Sequence, residues 1–280
     1  MLHVARGLSP RDLRAIADLE RRVVEADGGR LKLEWGTLQA RTGEQVEDLL
    51  WWDDEHLLGF LGMYAFGSAL ELAGMVAPAA RRRGIGAALL DAALPLARVR
   101  GHRRALLVVP RPSEAGRSLA LGRGATLDHS EHALVLLAEP AGVPRDTAMT
   151  LRRAGPADAA QVSRLLEAGF GHPAVGLAEQ LAAEGEQTLL IEMAGSPVGS
   201  LRLTRRGEDA GIYGFVVDPA WQGRGVGRDV LRRVCQQLRR EGAQRICLEV
   251  AVDNERALGL YSAIGFATVT TEDYYILPLG

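Results

Sequence analysis

Val216-Val217-Asp218-Pro219-Ala220-Trp221-Gln222-Gly223-Arg224-Gly225-Val226-Gly227 reads as the end of an apolar strand that runs through a glycine-rich turn into a helix. The helix is predicted from Val226, Val230, Leu231, Val234, Cys235 and Leu238, whose i, i+4, i+5 spacing sets one apolar stripe against a core. Arg228, Arg232, Arg233, Gln236, Arg239 and Arg240 fall mostly on the solvent side. A strand feeding a helix through Gly223, Gly225 and Gly227 leaves backbone N–H groups without intrahelical partners, at the positive end of the helix dipole. That point suits an anion, most naturally a phosphate or pyrophosphate, and glycine both tolerates positive φ and lets a ligand approach the backbone. A strand-to-helix turn with no ligand fits the same residues. No Gly-Lys-Ser/Thr follows, so the turn is not a P-loop, and Gly225-Val226-Gly227-Arg228-Asp229-Val230 lacks the third glycine of a dinucleotide fingerprint.

The 280 residues allow one large or two ordinary domains, and 47% hydrophobic with 24% charged content is that of a soluble globular chain. A formal net charge of -2 argues against a general nucleic-acid binder. Cys235 and Cys247 lie among apolar residues with no metal-ligand spacing, so both are expected as small core residues in a reducing compartment. No signal-peptide core and no run of 18 apolar residues occurs, so the expectation is a cytoplasmic protein with no membrane partner.

The opening motif occurs twice. Ala77-Pro78-Ala79-Ala80-Arg81-Arg82-Arg83-Gly84-Ile85-Gly86 precedes a helical stripe of Leu89, Leu90, Ala93, Leu94 and Ala97 and the strand Ala105 to Val109. Pro78 with Pro219, Gly84 with Gly225, Gly86 with Gly227 and Gly124 with Gly265 are each 141 positions apart, which marks a duplicated domain. Upstream, Arg6-Gly7-Leu8-Ser9-Pro10-Arg11-Asp12 matches Arg152-Arg153-Ala154-Gly155-Pro156-Ala157-Asp158 at a spacing of 146, so the first copy holds extra residues near 28–47. Ser9 is expected as a helix N-cap with Pro10 in the first turn; Leu49 to Trp52, Leu57 to Phe66 and Leu70 to Val76 form a meander. In the second copy Thr188 to Met193, Val198 to Thr204 and Ile212 to Val217 are strands, and 175–183 is a weaker helix. Expected domains are 1–138 and 148–280, joined by a Pro- and Gly-containing linker at 139–147.

Gln222-Gly223-Arg224-Gly225-Val226-Gly227 resembles the Arg/Gln-x-x-Gly-x-Gly/Ala acetyl-CoA loop of the GCN5-related N-acetyltransferases (GNAT). Leu248-Glu249-Val250-Ala251-Val252-Asp253-Asn254 through Leu260-Tyr261 to Gly265-Phe266 resembles that family's fifth strand and fourth helix. The resemblance implies an α/β (α+β) fold of two tandem GNAT-type domains, each a mixed, largely antiparallel central sheet flanked by helices. It implies acetyl-CoA as cosubstrate with no metal, held by Val216, Val217, Gln222, Gly223, Arg224, Gly225, Val226, Gly227, Arg228, Asn254, Ala257 and Tyr261. Tyr261 is implied as the acid that protonates the CoA sulfur; a core tyrosine fits the same pattern. Asn254 is implied at the pantetheine-pyrophosphate region, and it also suits a helix N-cap. Glu249 is the candidate base, in a Leu-Glu-Val setting similar to the bacterial ribosomal-protein alanine acetyltransferases, with Tyr213 and Asp218 as alternatives. Strand alternation could instead turn Glu249 to solvent.

At the 141 spacing Glu249 falls on Val108, Asn254 on Ser113 and Tyr261 on Ala120. The first copy keeps the turn, as Arg81, Gly84 and Gly86, and is expected to bind acetyl-CoA or only to hold structure, while the second copy transfers acetyl. A degenerate first half is similar in layout to the mycothiol synthase family, whose acceptor is a cysteinyl pseudodisaccharide; other small-molecule amines and protein N-terminal amines stay open. The acceptor segments are placed near 28–47 and 171–185, where His172 and Pro173 suit a surface loop better than a cleft lining, in a monomer or homodimer. The competing function is a non-catalytic acyl-CoA-binding or sensor protein.

Overall fold

A computed structural model describes residues 1–66, 69–140, 142, 148–171, 176–182 and 186–279. In chain order the elements are β1 (Leu2–Ala5), α1 (Pro10–Asp27), α2 (Trp35–Gln39), β2 (Asp48–Asp53), β3 (His56–Phe66), β4 (Ala69–Val76), α3 (Ile85–Val99), β5 (Arg104–Pro110), α4 (Glu114–Gly122) and β6 (Thr126–Leu136). They continue with β7 (Met149–Arg153), α5 (Ala159–Phe170), α6 (Leu177–Ala182), β8 (Glu186–Met193), β9 (Ser196–Arg206), β10 (Asp209–Val217), α7 (Val226–Arg240), β11 (Arg245–Ala251), α8 (Glu255–Ser262) and β12 (Phe266–Pro278). His172, Pro173 and most of the expected linker lie outside the described residues.

Two compact units result, and their limits differ from the linear division expected. One is Met1–Glu131 with Val269–Gly280; the other is His132–Thr268. The division crosses β6 and β12, so each repeat's closing strand contributes to the other unit. In the first unit the strand order is β1-β2-β3-β4-β5-β12, and in the second β6-β11-β10-β9-β8-β7. β4 with β5 and β10 with β11 are parallel pairs, each spanned by a crossover helix, α3 or α7.

Local rules account for the helix starts. Ser9 Oγ accepts from Asp12 N at 3.2 Å and the Asp12 carboxylate accepts from Ser9 N at 2.9 Å, a reciprocal capping box in front of Pro10. In the second copy Gly155 cannot supply the hydroxyl. Asp158 accepts from Gly155 N at 2.9 Å, and a single 3-10 turn at Pro156–Asp158 leads into α5.

β10 contains a bulge that the 141 spacing conceals. Tyr213 lies opposite Arg202 and Val216 opposite Ser200, so β10 spends one more residue than β9 across this step. Gly214, at φ +54°, lies inside it. The β3–β4 register is continuous in the first copy. Leu72 lies opposite Leu107, and Ile212 lies opposite Leu248; the copies are therefore 140 apart before the bulge and 141 after it. The bulge also flips side-chain alternation: Ala210 and Ile212 join the core under α7, and beyond it Phe215 and Val217 do so, while Val216 faces the α5–α6 cluster.

Candidate active site

The turn after β10 is held by its own side chains. Asp218 caps a 3-10 turn at Pro219–Trp221 through Ala220 N, at 3.0 Å. Gln222 Nε2 donates to the Val217 carbonyl at 2.8 Å, and its Oε1 accepts from Arg256 at 2.8 Å. Gly223 (φ +77°) and Gly225 (φ +88°) occupy the left-handed region, and Gly225 is the N-cap of α7 with no side-chain bond. Asp229 N closes the first helical bond to Gly225 O, so the N–H groups of Val226, Gly227 and Arg228 are the first-turn donors that helix geometry leaves over. Arg224 stacks over Trp221, its Cζ 5.0 Å from the ring centroid.

The three glycines have different reasons. A Cβ at Gly223 or Gly225 would meet nothing within 4 Å, so positive φ is the requirement there. A Cβ at Gly227 would meet Leu260 Cδ2 at 3.3 Å and Phe215 Cζ at 3.6 Å; its smallness serves packing between α7, α8 and β10 rather than access for a ligand.

The first copy reproduces the turn. Gly84 caps α3 at φ +80°, and Arg82, the counterpart of Gly223, holds φ +62° despite its side chain. An L-residue in that region is strained by about 1–2 kcal/mol, so the shape of the turn survives against local preference. Arg81 is braced within the turn. Its guanidinium makes two 2.7 Å bonds to Asp27 and one of 3.2 Å to the Val76 carbonyl. Arg81 and Gln222 thus bond equivalent carbonyls, those of Val76 and Val217, and brace the turn.

Pairing between β10 and β11 runs from Asp209 with Arg245 to Ile212 with Leu248 and stops there, just where the bulge begins. Beyond that point Tyr213–Val217 and Glu249–Ala251 diverge. Ile246, Leu248 and Val250 are buried with α7, so Glu249, half-buried, shares the opposite face with Cys247 and Ala251. Tyr261, on α8, belongs to the α7-side core, 7% exposed and edge-on to Phe266 at 6.1 Å. Burial pushes its phenol up to about 12. The two expected chemical groups therefore lie on opposite faces of the sheet, Glu249 directly after the last β10–β11 pair.

Other expected contacts are already engaged. Asn254 Oδ1 accepts from Ala257 N at 3.0 Å as the α8 N-cap, and Ser113 does the same for Gly116 N, at 3.3 Å, in front of α4. Val216 is buried against α5 and α6, and Val217 gives its carbonyl to Gln222. Tyr213 lies under Arg202, 5.5 Å from guanidinium to ring, while Asp218 is 3.6 Å from Arg164. Sequence reasoning missed the bulge, although a glycine inside a strand pattern, Tyr213-Gly214-Phe215, is a bulge signal.

In the first unit a cavity of about 470 Å³ opens over the turn, lined by Arg81, Gly84, Gly86, Val108, Ser113 and Ala120 among others. Val108 and Ala120 stand where the second copy has Glu249 and Tyr261.

The profile of the acetyltransferase (GNAT) family matches the chain twice, over residues 13–121 and 160–266. A mycothiol acetyltransferase of Propionibacterium freudenreichii subsp. shermanii is 31% identical over 297 residues, covering 96% of this chain and 89% of that protein. Among solved structures, a GCN5-related N-acetyltransferase from Sphaerobacter thermophilus superposes with a TM-score of 0.81 at 21% identity, covering 99% of this chain and 95% of the other. A tandem GNAT protein from the clavulanic acid biosynthesis pathway gives 0.69 at 18% identity, covering 100% and 99%. The latter two likenesses are of fold.

Proposed function

The chain belongs to the acetyltransferase (GNAT) family and is an N-acetyltransferase, and on that premise we propose that its second copy transfers acetyl from acetyl-CoA to a primary amine by direct attack. The supporting observation is that Glu249 directly follows the last β10–β11 pair on one face of the sheet while Tyr261 belongs to the α7-side core on the other. First-turn N–H groups of Val226, Gly227 and Arg228 hold the pyrophosphate. Glu249 takes the ammonium proton on the α5 side, and the freed nitrogen forms its bond to the acetyl carbon as the C–S bond breaks. Tyr261, still protonated at neutral pH, gives its proton to the departing sulfur on the α8 side, and the second proton that the nitrogen sheds as the amide forms passes to solvent, from which the phenolate is reprotonated.

The first copy keeps the turn and the cavity and has Val108 and Ala120 at the two chemical positions, which supports a second acetyl-CoA site without turnover. The relative named mycothiol acetyltransferase spans both copies, so the cysteinyl pseudodisaccharide amine implied by the layout is the first acceptor to assay. Calorimetry with acetyl-CoA is expected to give two sites, and thiol release to depend on the acceptor amine. Glu249→Gln is expected to lower kcat/KM roughly 10²–10⁴-fold, with partial recovery at high pH where the free-amine fraction grows. Thiol release unaffected by Glu249→Gln would overturn the assignment of the base.

A further inference from the structure

Of the 33 lysines and arginines, Lys32 alone is lysine. It lies between α1 and α2 with a side chain only 10% exposed. Its Nζ donates to Tyr274 Oη at 2.6 Å and stands 3.5 Å from Glu71 and 3.8 Å from Glu131. Tyr274 Oη in turn donates to Glu131 at 2.7 Å, and the Tyr274 ring, 1% exposed as a residue, stacks on His129 with centroids 4.2 Å apart. Beside this group Arg30 pairs with the fully buried Glu272 through bonds of 3.1 and 3.2 Å.

Strand register places the cluster. Tyr274 is the cross-strand partner of Val108, and Val108 is that of Ala73. Glu71 lies two residues from Ala73 on the same face of β4. Directly opposed residues have Cβ atoms about 4.5–5.5 Å apart, so Tyr274 adjoins the cavity-lining position at which the second copy carries Glu249. A phenol and two carboxylates thus surround an ammonium beside the cavity-lining Val108, on the sheet face that corresponds to the Glu249 face of the second copy.

An ammonium is a compact charge with three donors, whereas guanidinium is a planar fork, and this chain uses the fork everywhere else. We propose that Glu71, Glu131 and Tyr274 form a binding site for a primary ammonium that the chain's own Lys32 fills, closing the acceptor side of the first-copy cavity. Its consequence, a bound thioester kept from external amines, rests on the acetyl-CoA reading of that cavity; the ammonium site itself does not.

Lys32→Ala removes the ammonium and leaves both carboxylates. The probe is n-butylammonium, which reproduces the lysine stem and head. Thermal unfolding of Lys32→Ala is expected to rise by several degrees in millimolar n-butylammonium, through binding to the folded state alone. No such rise is expected with tetramethylammonium, in the wild type, in Lys32→Met, or in Lys32→Ala carrying Glu71→Gln and Glu131→Gln. Equal responses in the wild type and Lys32→Ala, or none in either, overturn the proposal. If Lys32→Ala does not fold alone, refolding in n-butylammonium but not in tetramethylammonium supports it, and failure in both overturns it. Acetylation of Lys32 after incubation with acetyl-CoA, read by mass spectrometry, would also overturn it, because the lysine would then be an acceptor. Calorimetric counting of acetyl-CoA sites on the wild type tests the cavity assignment separately.

Discussion

Replacing Gly225 by alanine tests whether the turn acts through backbone shape. Gly225 sits at φ +88°, ψ -7°, and a Cβ there would meet nothing within 4 Å, so the substitution introduces no clash. The penalty is that of holding an L-residue in the left-handed region, about 1–2 kcal/mol. A variant that relaxes by leaving this region disperses the first-turn N–H groups, and ligand binding must restore them. At 1.4 kcal/mol per decade, that cost corresponds to a roughly five- to thirtyfold rise in KM for acetyl-CoA. Gly227 is the control, since its Cβ would meet Leu260 Cδ2 at 3.3 Å, Phe215 Cζ at 3.6 Å and Val217 Cγ2 at 3.8 Å. Gly227→Ala is expected to lower stability by about 1 kcal/mol through overpacking and to leave KM changed only slightly. Steady-state thiol release gives KM, and thermal unfolding gives the stability change. A large KM effect confined to Gly227→Ala would refute the reasoning and restore glycine as room for the ligand.

Tyr261→Phe is expected to lower kcat roughly 10²–10⁴-fold with KM for acetyl-CoA little changed, measured by thiol release. Because burial pushes this phenol up to about 12, wild-type kcat should not decline with pH near 10 through loss of its proton; a decline there that disappears in Tyr261→Phe contradicts its placement. Asp48, fully buried beside Arg41 (Nε at 3.1 Å), is raised from 3.8 to about 6, desolvation outweighing the arginine. The folded state then binds the proton more tightly than the unfolded state, so this contribution is complete below about pH 4 and is lost as pH rises through about 6, amounting to roughly 3 kcal/mol. Asp48→Asn should flatten that part of the stability profile in denaturant titrations at stepped pH; an unchanged slope counts against the shift.

Features that depend on a few neighbouring residues were legible in the sequence. Ser9, Pro10 and Asp12 announce a capping box, and the paired Gly84 and Gly225 announce left-handed helix starts, because each signal lies within one turn of its effect. The exchange of closing strands was not legible. β6 and β12 occupy corresponding places in the two repeats, so local pattern alone does not choose which unit each completes. The face of Glu249 was undecidable for a related reason: period-2 alternation has two phases, and burial of Ile246, Leu248 and Val250 under α7 selects one. The Asp27 partner of Arg81 was not legible, because a guanidinium beside a phosphate loop suits phosphate and carboxylate equally and Asp27 is 54 positions away in sequence.

The two copies share the backbone shape of the turn and differ at the two positions to which we assign proton transfer. Arg82 keeps φ +62° at the place of Gly223, so the first copy tolerates strain to preserve the turn, yet it has alanine in place of the phenol and valine in place of the carboxylate. Selection for a merely solid domain would favour glycine at position 82 and a filled interior, since strain and voids both reduce stability. The strained turn lies beneath an open cavity of about 470 Å³, the arrangement that the proposed acetyl-CoA site of the first copy requires. On the second-copy side, the bulge at Gly214 turns Val216 toward α5 and Phe215 and Val217 toward α7, just beyond the last β10–β11 pair. One inserted residue thereby accompanies the copy that carries Glu249 and Tyr261. Removing it, by deleting Gly214, should cost acetyl transfer while leaving the first-copy site intact, which calorimetry and thiol release together would distinguish.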